Sequence, residues 1–181
     1  MAFLVFSCSL NPGSRSRVLA HGALNRLESL GVDAEFIDLQ TLALPFCDGR
    51  SSYQHPDVID LKRRVAECEG AIIAVPVYNF DVNSAAKNLI ELTGDAWKEK
   101  VVAFLCAAGG QTSFMSIMGL ASSMMLDFRS VVVPRFVYAN EDDVMGEQIV
   151  DARTRERLEE VVTTLVRFAR ALSPLPQDLS P

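Results

Sequence analysis

Five short apolar runs alternate along the chain with longer segments whose apolar residues recur every three or four positions. The runs are unbroken, a pattern typical of strands that are covered on both faces. The longer segments have helical periodicity, and in the first of them Gly31 marks the end of the helix. The pattern predicts strands at residues 3–6, 34–37, 71–75, 101–105 and 131–133, and helices at residues 15–30, 57–68, 84–92, 112–128 and 151–172.

This order of strands and helices indicates an α/β fold, in which right-handed crossovers build a parallel sheet between two helical layers. We expect a doubly wound, five-stranded sheet of the flavodoxin-like type with strand order 2-1-3-4-5. In this order the loops after the first, third and fourth strands open at one edge, where ligands bind in open α/β sheets. A single domain is predicted for residues 1–172, followed by a flexible tail at residues 173–181.

Composition narrows the classes of function. Of the 181 residues, 49% are hydrophobic and 22% are charged, as in a soluble globular protein, and the net charge of −6 gives no general support for binding nucleic acid or an anionic membrane. The uncharged stretch 101–126 contains glycines and hydroxyl groups, so it is interpreted as a strand, a loop and a helix, not as a membrane span. Four scattered cysteines and the lack of a signal-peptide pattern favour reduced thiols and a cytoplasmic location.

The loop after the first strand, SCSLNPGSRSR, is rich in hydroxyl groups and basic side chains. A helix N-terminus provides free N–H groups and a partial positive charge, and Ser9, Ser14 and Ser16 would add hydroxyl donors for a phosphate. Arg15 and Arg17 fall in the first helical turn, where basic side chains oppose the helix dipole unless an anion is bound. Alternatively, Ser14 serves only as a helix cap and both arginines lie on the surface.

The loop after the third strand combines aromatic side chains with a helix start. Pro76 is expected to end the strand, and Asn83 or Ser84 is expected to cap the next helix. Between them, Tyr78, Asn79 and Phe80 offer a surface for a flat heterocycle, although a capping turn packed on the core would use the same residues.

The loop after the fourth strand begins with paired glycines. Gly109 and Gly110 would let the backbone approach a ligand closely, or would form only a tight turn. The three loops together, rather than any one of them, predict a single ligand pocket.

These residues carry a resemblance to a known family that spans most of the chain. The segments SLNPGSRS and PVYNFDVNSAAKN and the paired glycines resemble the NAD(P)H-dependent FMN reductases, which are flavodoxin-like, and the second segment is the most specific. In that family the three loops contact, in order, the FMN phosphate, the isoalloxazine ring and its pyrimidine edge. The resemblance implies phosphate contacts from Ser9, Asn11, Ser14, Arg15 and Ser16, ring contacts from Pro76, Val77, Tyr78, Asn79 and Phe80, and edge contacts from Gly109, Gly110 and Gln111.

The predicted function is an FMN-dependent oxidoreductase that takes hydride from NADPH or NADH and reduces free flavin, a quinone or another small acceptor. Because the flavin carries the hydride chemistry, no catalytic side chain is required. His21 and His55 are interpreted as surface or packing residues, and no cluster has the spacing of metal ligands.

Three alternatives stay open. Two are a flavodoxin-type electron carrier and a flavin-binding module without turnover. A minor third is a phosphatase-like enzyme that uses Cys8, because Cys8 and Arg15 resemble the phosphate loop of low-molecular-weight tyrosine phosphatases, with one residue too many between them.

The predicted fourth helix is apolar on nearly all sides. A helix that covers one sheet face should keep a polar side, so we expect a second subunit to cover this one, unless the helix is buried in the core. A homodimer or homotetramer is predicted, and the resemblance suggests that the partner helps to complete the flavin pocket.

Overall fold

The computed structural model describes residues 2–172, so the predicted tail lies outside the described residues. The five predicted strands and five predicted helices occur in the expected order, together with four further strands of two or three residues. The strands are β1 (Phe3–Ser7), β2 (Ala34–Asp38), β3 (Gly70–Tyr78), β4 (Asp81–Val82), β5 (Val101–Ala107), β6 (Val131–Val132), β7 (Val137–Ala139), β8 (Val144–Met145) and β9 (Gln148–Ile149). The helices are α1 (Arg15–Ser29), α2 (Pro56–Glu67), α3 (Ser84–Thr93), α4 (Met118–Phe128) and α5 (Ala152–Ala171).

The main sheet is parallel and has the order β2-β1-β3-β5-β6. This is the predicted order 2-1-3-4-5, because the two-residue strand β4 only adds an antiparallel hairpin to the end of β3. The last position is divided between β6 and β7, which pair with opposite ends of β5. Pro134 lies in the break between them and has no N–H to donate to a ladder. The predicted α/β fold is confirmed.

The core consists of two apolar layers, one on each face of the sheet. In β1, Phe3 and Val5 point into the layer formed with α1 and α5, whereas Leu4 and Phe6 point into the layer formed with α2, α3 and α4. All four side chains are at most 2% exposed. Burial on both faces explains why the strand sequences are unbroken apolar runs.

The third strand is longer than predicted. It continues through Pro76 to Tyr78, so the expectation that Pro76 ends it is wrong. The reason is local: β1 pairs with β3 only as far as Ala74, and the side of Pro76 that lacks an N–H faces the space beyond the end of β1. On its other side β3 still pairs with β5, where Pro76 lies opposite Ala107.

The fourth helix is shorter than predicted. It begins at Met118 instead of residue 112, and residues 112–117 form turns. Two side chains hold this segment away from a helical path: the Ser113 hydroxyl lies 2.8 Å from the Tyr138 hydroxyl, and the Phe114 ring lies 5.0 Å from that of Phe136. Tertiary contacts therefore override the helical periodicity of this stretch.

Candidate functional site

Three loops meet at the carboxyl edge of the sheet: the first loop (residues 8–14) after β1, the second loop (residues 78–83) after β3 and the third loop (residues 108–117) after β5. The Asn83 side chain joins the second loop to the first, since its Nδ2 donates to the Cys8 carbonyl at 2.7 Å. The second and third loops border a common cavity of about 300 Å³, with Phe80 on one side and Ser113 and Ser116 on the other. The structure thus brings the three predicted loops together.

The first loop is shaped by its own hydrogen bonds. Asn11 closes a tight turn, because its Oδ1 accepts from the Gly13 amide at 3.0 Å and its carbonyl accepts from the Ser14 amide at 3.1 Å. The Ser9 hydroxyl accepts from the Asn11 amide at 3.2 Å. The chain is thereby turned directly into the start of α1.

Ser14 is the N-cap of α1. Its hydroxyl accepts from the Ser16 amide at 3.3 Å and lies 2.8 Å from the Ser16 hydroxyl, and no acidic residue stands in the first turn. An accepting hydroxyl keeps its own hydrogen, so Ser9 and one member of the Ser14 and Ser16 pair still have a hydrogen to donate. The buried hydroxyl groups and the positive end of α1 therefore suit an anion.

The two arginines of the first turn point to different places. Arg17 reaches towards β2, where one guanidinium nitrogen lies 2.8 Å from an Asp38 carboxylate oxygen and 2.7 Å from Oε1 of Gln40. Arg15 is only loosely paired, with 3.8 Å between its guanidinium and the Glu141 carboxylate, and 40% of its side chain is exposed. Arg15 is thus the cation of this turn that remains available to a ligand.

The second loop is a tight hairpin turn between β3 and β4. Asn79 and Phe80 form its tip with φ of 51° and 62°, in the left-handed region. Asparagine tolerates this conformation, but for a phenylalanine it costs roughly 1–2 kcal/mol. Tyr78 and Phe80 are 53% and 67% exposed. Pro76 and Val77 are buried, so neither presents an exposed side chain to a ligand.

The third loop is held from behind by Tyr138 of β7. The Tyr138 hydroxyl donates to the Gly110 carbonyl at 2.5 Å, and the Ala108 amide donates to the Ala139 carbonyl at 2.8 Å. A Cβ built on Gly109 or Gly110 would meet no atom within 4 Å, and neither residue has a positive φ. The turn itself therefore does not require glycine, and the backbone borders open space, as does the exposed Gln111.

Cys8 offers no nucleophile. Its side chain is fully buried among the residues that pack with α2, α3 and α4. Burial, followed by the nearby Asp38 carboxylate, raises the pKa of the Cys8 thiol far above its ordinary value. A phosphatase would need the thiolate, so the structure speaks against the phosphatase-like alternative.

Other chemistry-bearing side chains have structural partners. His21 stacks on Phe36 at 4.3 Å, and Nδ1 of His55 accepts from the Asp57 amide at the start of α2. Within residues 2–172, no group of three or more His, Cys, Asp or Glu side chains is placed to hold a metal ion.

Two larger cavities, of about 490 and 620 Å³, lie along the outer side of α1. The larger one touches the first loop at Gly13 and Ser14 and continues past Arg17 and His21 to Glu147. Its lining mixes polar and apolar residues, and Arg17 and Glu147 contribute charges of opposite sign. The crevice between the second and third loops is smaller; the exposed Phe80 borders it, and the start of α1 does not.

Comparison with known proteins decides the family. The model of the NADPH-dependent FMN reductases matches residues 1–143. The chain belongs to this family. It is therefore an NAD(P)H-dependent flavin oxidoreductase, with FMN as the cofactor and NADPH or NADH as the co-substrate. Among residues 2–172, no helix is both long and apolar enough to cross a membrane.

Two relatives illustrate the similarity. The chain is 27% identical over 152 residues to an NADPH:quinone oxidoreductase of Arabidopsis thaliana, a match that covers 78% of this chain and 77% of that protein. It is 26% identical over 184 residues to an FMN reductase (NADPH) of Pseudomonas putida, with 98% and 92% covered.

Solved structures share the fold. The flavoenzyme NAD(P)H:(acceptor) oxidoreductase of Paracoccus denitrificans superposes with a TM-score of 0.77 at 19% identity, covering 94% of this chain and 97% of that one. An FMN-dependent NADH-azoreductase of Bacillus anthracis in complex with FMN superposes with a TM-score of 0.68 at 15% identity, covering 91% and 99%.

Proposed function

We propose that the enzyme holds the FMN phosphate at the first loop, with contacts from Ser9, Asn11, Ser14, Arg15 and Ser16. The observation that carries this assignment is the start of α1. The positive end of this helix has no carboxylate in its first turn. It carries buried hydroxyl groups with hydrogens to donate, and one arginine that is only loosely paired. A phosphate dianion is the ligand that this set of donors fits.

The isoalloxazine ring then extends from the first loop to the other two. Tyr78 and Phe80 supply exposed aromatic faces, and Asn79 and the backbone of Pro76 and Val77 line its course. The open backbone at Gly109 and Gly110, with Gln111 beside it, leaves room for the polar edge of the ring. An Ala side chain in place of either glycine would occupy part of this space.

FMN, when bound, supplies hydride transfer, and the chain's own residues bind, orient and shield the ring. Because Tyr78 and Phe80 are exposed, the crevice stays accessible to a nicotinamide and to an acceptor in turn. The acceptor in this proposal is a free flavin, a quinone or another small molecule, as the names of the two relatives suggest.

Anaerobic absorption spectroscopy tests this function. The purified protein is saturated with FMN and mixed with NADPH or NADH, and a quinone is added afterwards. The expected result is bleaching of the flavin band by the nicotinamide and its return with the quinone, over many turnovers. Bound FMN that neither nicotinamide reduces would instead indicate an electron carrier or a flavin-binding module.

We also propose that the enzyme is a homodimer or homotetramer that associates through α4 and the turn before it. This surface carries large apolar side chains that are each at least 40% exposed: Phe114, Met115, Met118, Met125 and Leu126. Leu126 is 85% exposed, and a patch of this kind is typical of an interface. Sedimentation of the wild type and of Leu126→Glu tests this: the wild type should be oligomeric and the variant should shift towards the monomer. A monomeric wild type would contradict the proposal.

A cytoplasmic location stays a prediction from the sequence. The four described cysteines are free, and Cys47 is the one that is not fully buried among them. A partly exposed free thiol suits a reducing compartment.

A further inference from the structure

Asn83 stands at the N-cap of α3 but does not act as a cap. Its backbone has the extended conformation of a capping residue, yet its side chain makes no hydrogen bond to the first turn. Instead, Nδ2 donates to the Cys8 carbonyl at 2.7 Å, across 75 positions of sequence. An asparagine cap normally stabilises a helix by about 1 kcal/mol, so this side chain forgoes a local contribution for a distant one.

The orientation of the Asn83 amide is fixed by chemistry. A carbonyl oxygen can only accept, so the nitrogen of the amide must face Cys8. The Oδ1 atom is then directed elsewhere; it is buried and has no hydrogen-bond partner among the described residues. Leaving such an acceptor unpaired costs on the order of 1–3 kcal/mol. The contact to Cys8 is therefore kept in spite of two local costs.

Both backbone polar groups of Cys8 make hydrogen bonds. Its amide donates to the Ala74 carbonyl of β3 at 2.9 Å, and its carbonyl accepts from Asn83. Because the peptide is planar and trans, a Cys8 carbonyl that points at Asn83 turns the N–H of Ser9 to the opposite side, away from α3. Asn83 thus sets both the position and the orientation of the first peptide of the first loop.

Asn83 also directly follows the hairpin that carries the exposed aromatic side chains. Val82 pairs with Val77 in this hairpin, and Asn83 is the next residue along the chain. One side chain, 6% exposed, therefore connects the end of the second loop to the beginning of the first.

We propose that Asn83 is a positioning residue that keeps the first and second loops at the separation required by one FMN molecule. The inference rests on the proposed function, in which these loops hold the phosphate and the ring. Two binding surfaces contribute fully to the affinity for one ligand only if their spacing matches it. Without the Asn83 contact each surface should persist, while their joint effect weakens.

The experiment compares FMN with riboflavin, which has the same ring and side chain but no phosphate. For each variant we measure both dissociation constants by fluorescence titration of the FMN-free protein. The ratio of the riboflavin constant to the FMN constant reports how much the phosphate contributes while the ring is bound. The variants are Asn83→Ala and Asn83→Ser; a serine hydroxyl can cap α3 but is too short to reach the Cys8 carbonyl.

Thr93→Val is the matched control. Thr93 lies at the other end of α3, and its buried hydroxyl accepts from the Trp97 indole at 2.6 Å. The same hydroxyl donates to the Leu89 carbonyl at 2.7 Å, so this variant loses two buried hydrogen bonds at α3 without touching either loop.

Both Asn83 variants should lower the ratio about three- to tenfold, the value of one hydrogen bond, and Thr93→Val should leave it unchanged. If Asn83→Ala does not fold, Asn83→Ser, whose hydroxyl can cap α3, provides the test. An unchanged ratio in a folded Asn83 variant, or an equal fall in Thr93→Val, would overturn the positioning role alone. If the wild type binds neither flavin, or binds both equally, the proposed phosphate site fails and the inference fails with it.

Discussion

Arg15 and Arg17 provide a matched pair for testing the phosphate site, because they lie two residues apart in the first turn of α1 and point to different partners. Arg15→Gln removes the loosely paired cation, and Arg17→Gln removes the one bound to Asp38 and Gln40. We expect Arg15→Gln to weaken FMN binding and to leave riboflavin binding unchanged. Arg17→Gln should change neither affinity by more than about twofold, since its charge is already compensated.

The size of the Arg15 effect follows from its exposure. Two unit charges 4 Å apart interact by about 1 kcal/mol in water and about 4 kcal/mol at an effective dielectric constant of 20. With 40% of its side chain exposed, Arg15 lies between these limits, so we expect a loss of about 1.5–2 kcal/mol, or a rise in the FMN dissociation constant of roughly 10- to 30-fold. High salt should reduce this difference.

Fluorescence titrations at low and high ionic strength provide the assay, and urea unfolding reports stability. The Arg17 and Asp38 side chains are 20% and 13% exposed, so Arg17→Gln should lower the free energy of unfolding by about 1–2 kcal/mol. The assigned phosphate contact would be refuted if Arg15→Gln bound FMN as tightly as the wild type does, or if Arg17→Gln lost more affinity for FMN than Arg15→Gln.

Two further predictions concern the second loop and the long connection after β2. Phe80→Gly should raise the free energy of unfolding by about 0.5–1 kcal/mol, because glycine relieves the strain of the left-handed backbone. The same variant should weaken FMN and riboflavin binding equally. Lower stability in urea, or unchanged affinity for both flavins, would contradict this prediction. Hydrogen bonds from the Ser51 hydroxyl, and then from the amide and hydroxyl of Ser52, hold the pKa of Asp48 well below its ordinary value. The ionised Asp48 therefore stabilises the turn above pH about 4, and this stabilisation is lost as the pH falls further. Amide exchange of residues 49–52 should therefore accelerate in acid relative to that of the core. In Asp48→Asn this exchange should already be fast at neutral pH. Protection of these amides that does not change with acid in the wild type would refute the role of Asp48.

The sequence predicts the layout of the sheet well because local rules determine it. Unbroken apolar runs mark strands buried on both faces, and the alternation with helices leaves few topologies. The same rules place the three loops at one edge. The errors occur where distant contacts decide: Pro76 stays in β3 because β1 ends earlier, and α4 starts late because Tyr138 and Phe136 hold the preceding turns.

The composition of the site is readable from the sequence, but the orientation of its side chains is not. Nothing local distinguishes Arg15 from Arg17, since the choice depends on Asp38 at the end of β2. Similarly, Asn83 has the sequence features of a helix cap, and its actual partner lies 75 positions away. The residue type was nevertheless a signal. The side-chain amide of an asparagine before a helix can hydrogen-bond either the first turn of that helix or the backbone of a neighbouring loop.

A crystal structure of the protein with FMN would show directly which loops hold the phosphate and the ring. We expect the phosphate within hydrogen-bonding distance of the Ser14 hydroxyl and the first amides of α1, and the isoalloxazine ring against Tyr78 and Phe80. FMN bound instead in the cavity between α1 and Glu147, or a phosphate that points away from α1, would contradict the assignment of the first loop as the phosphate site.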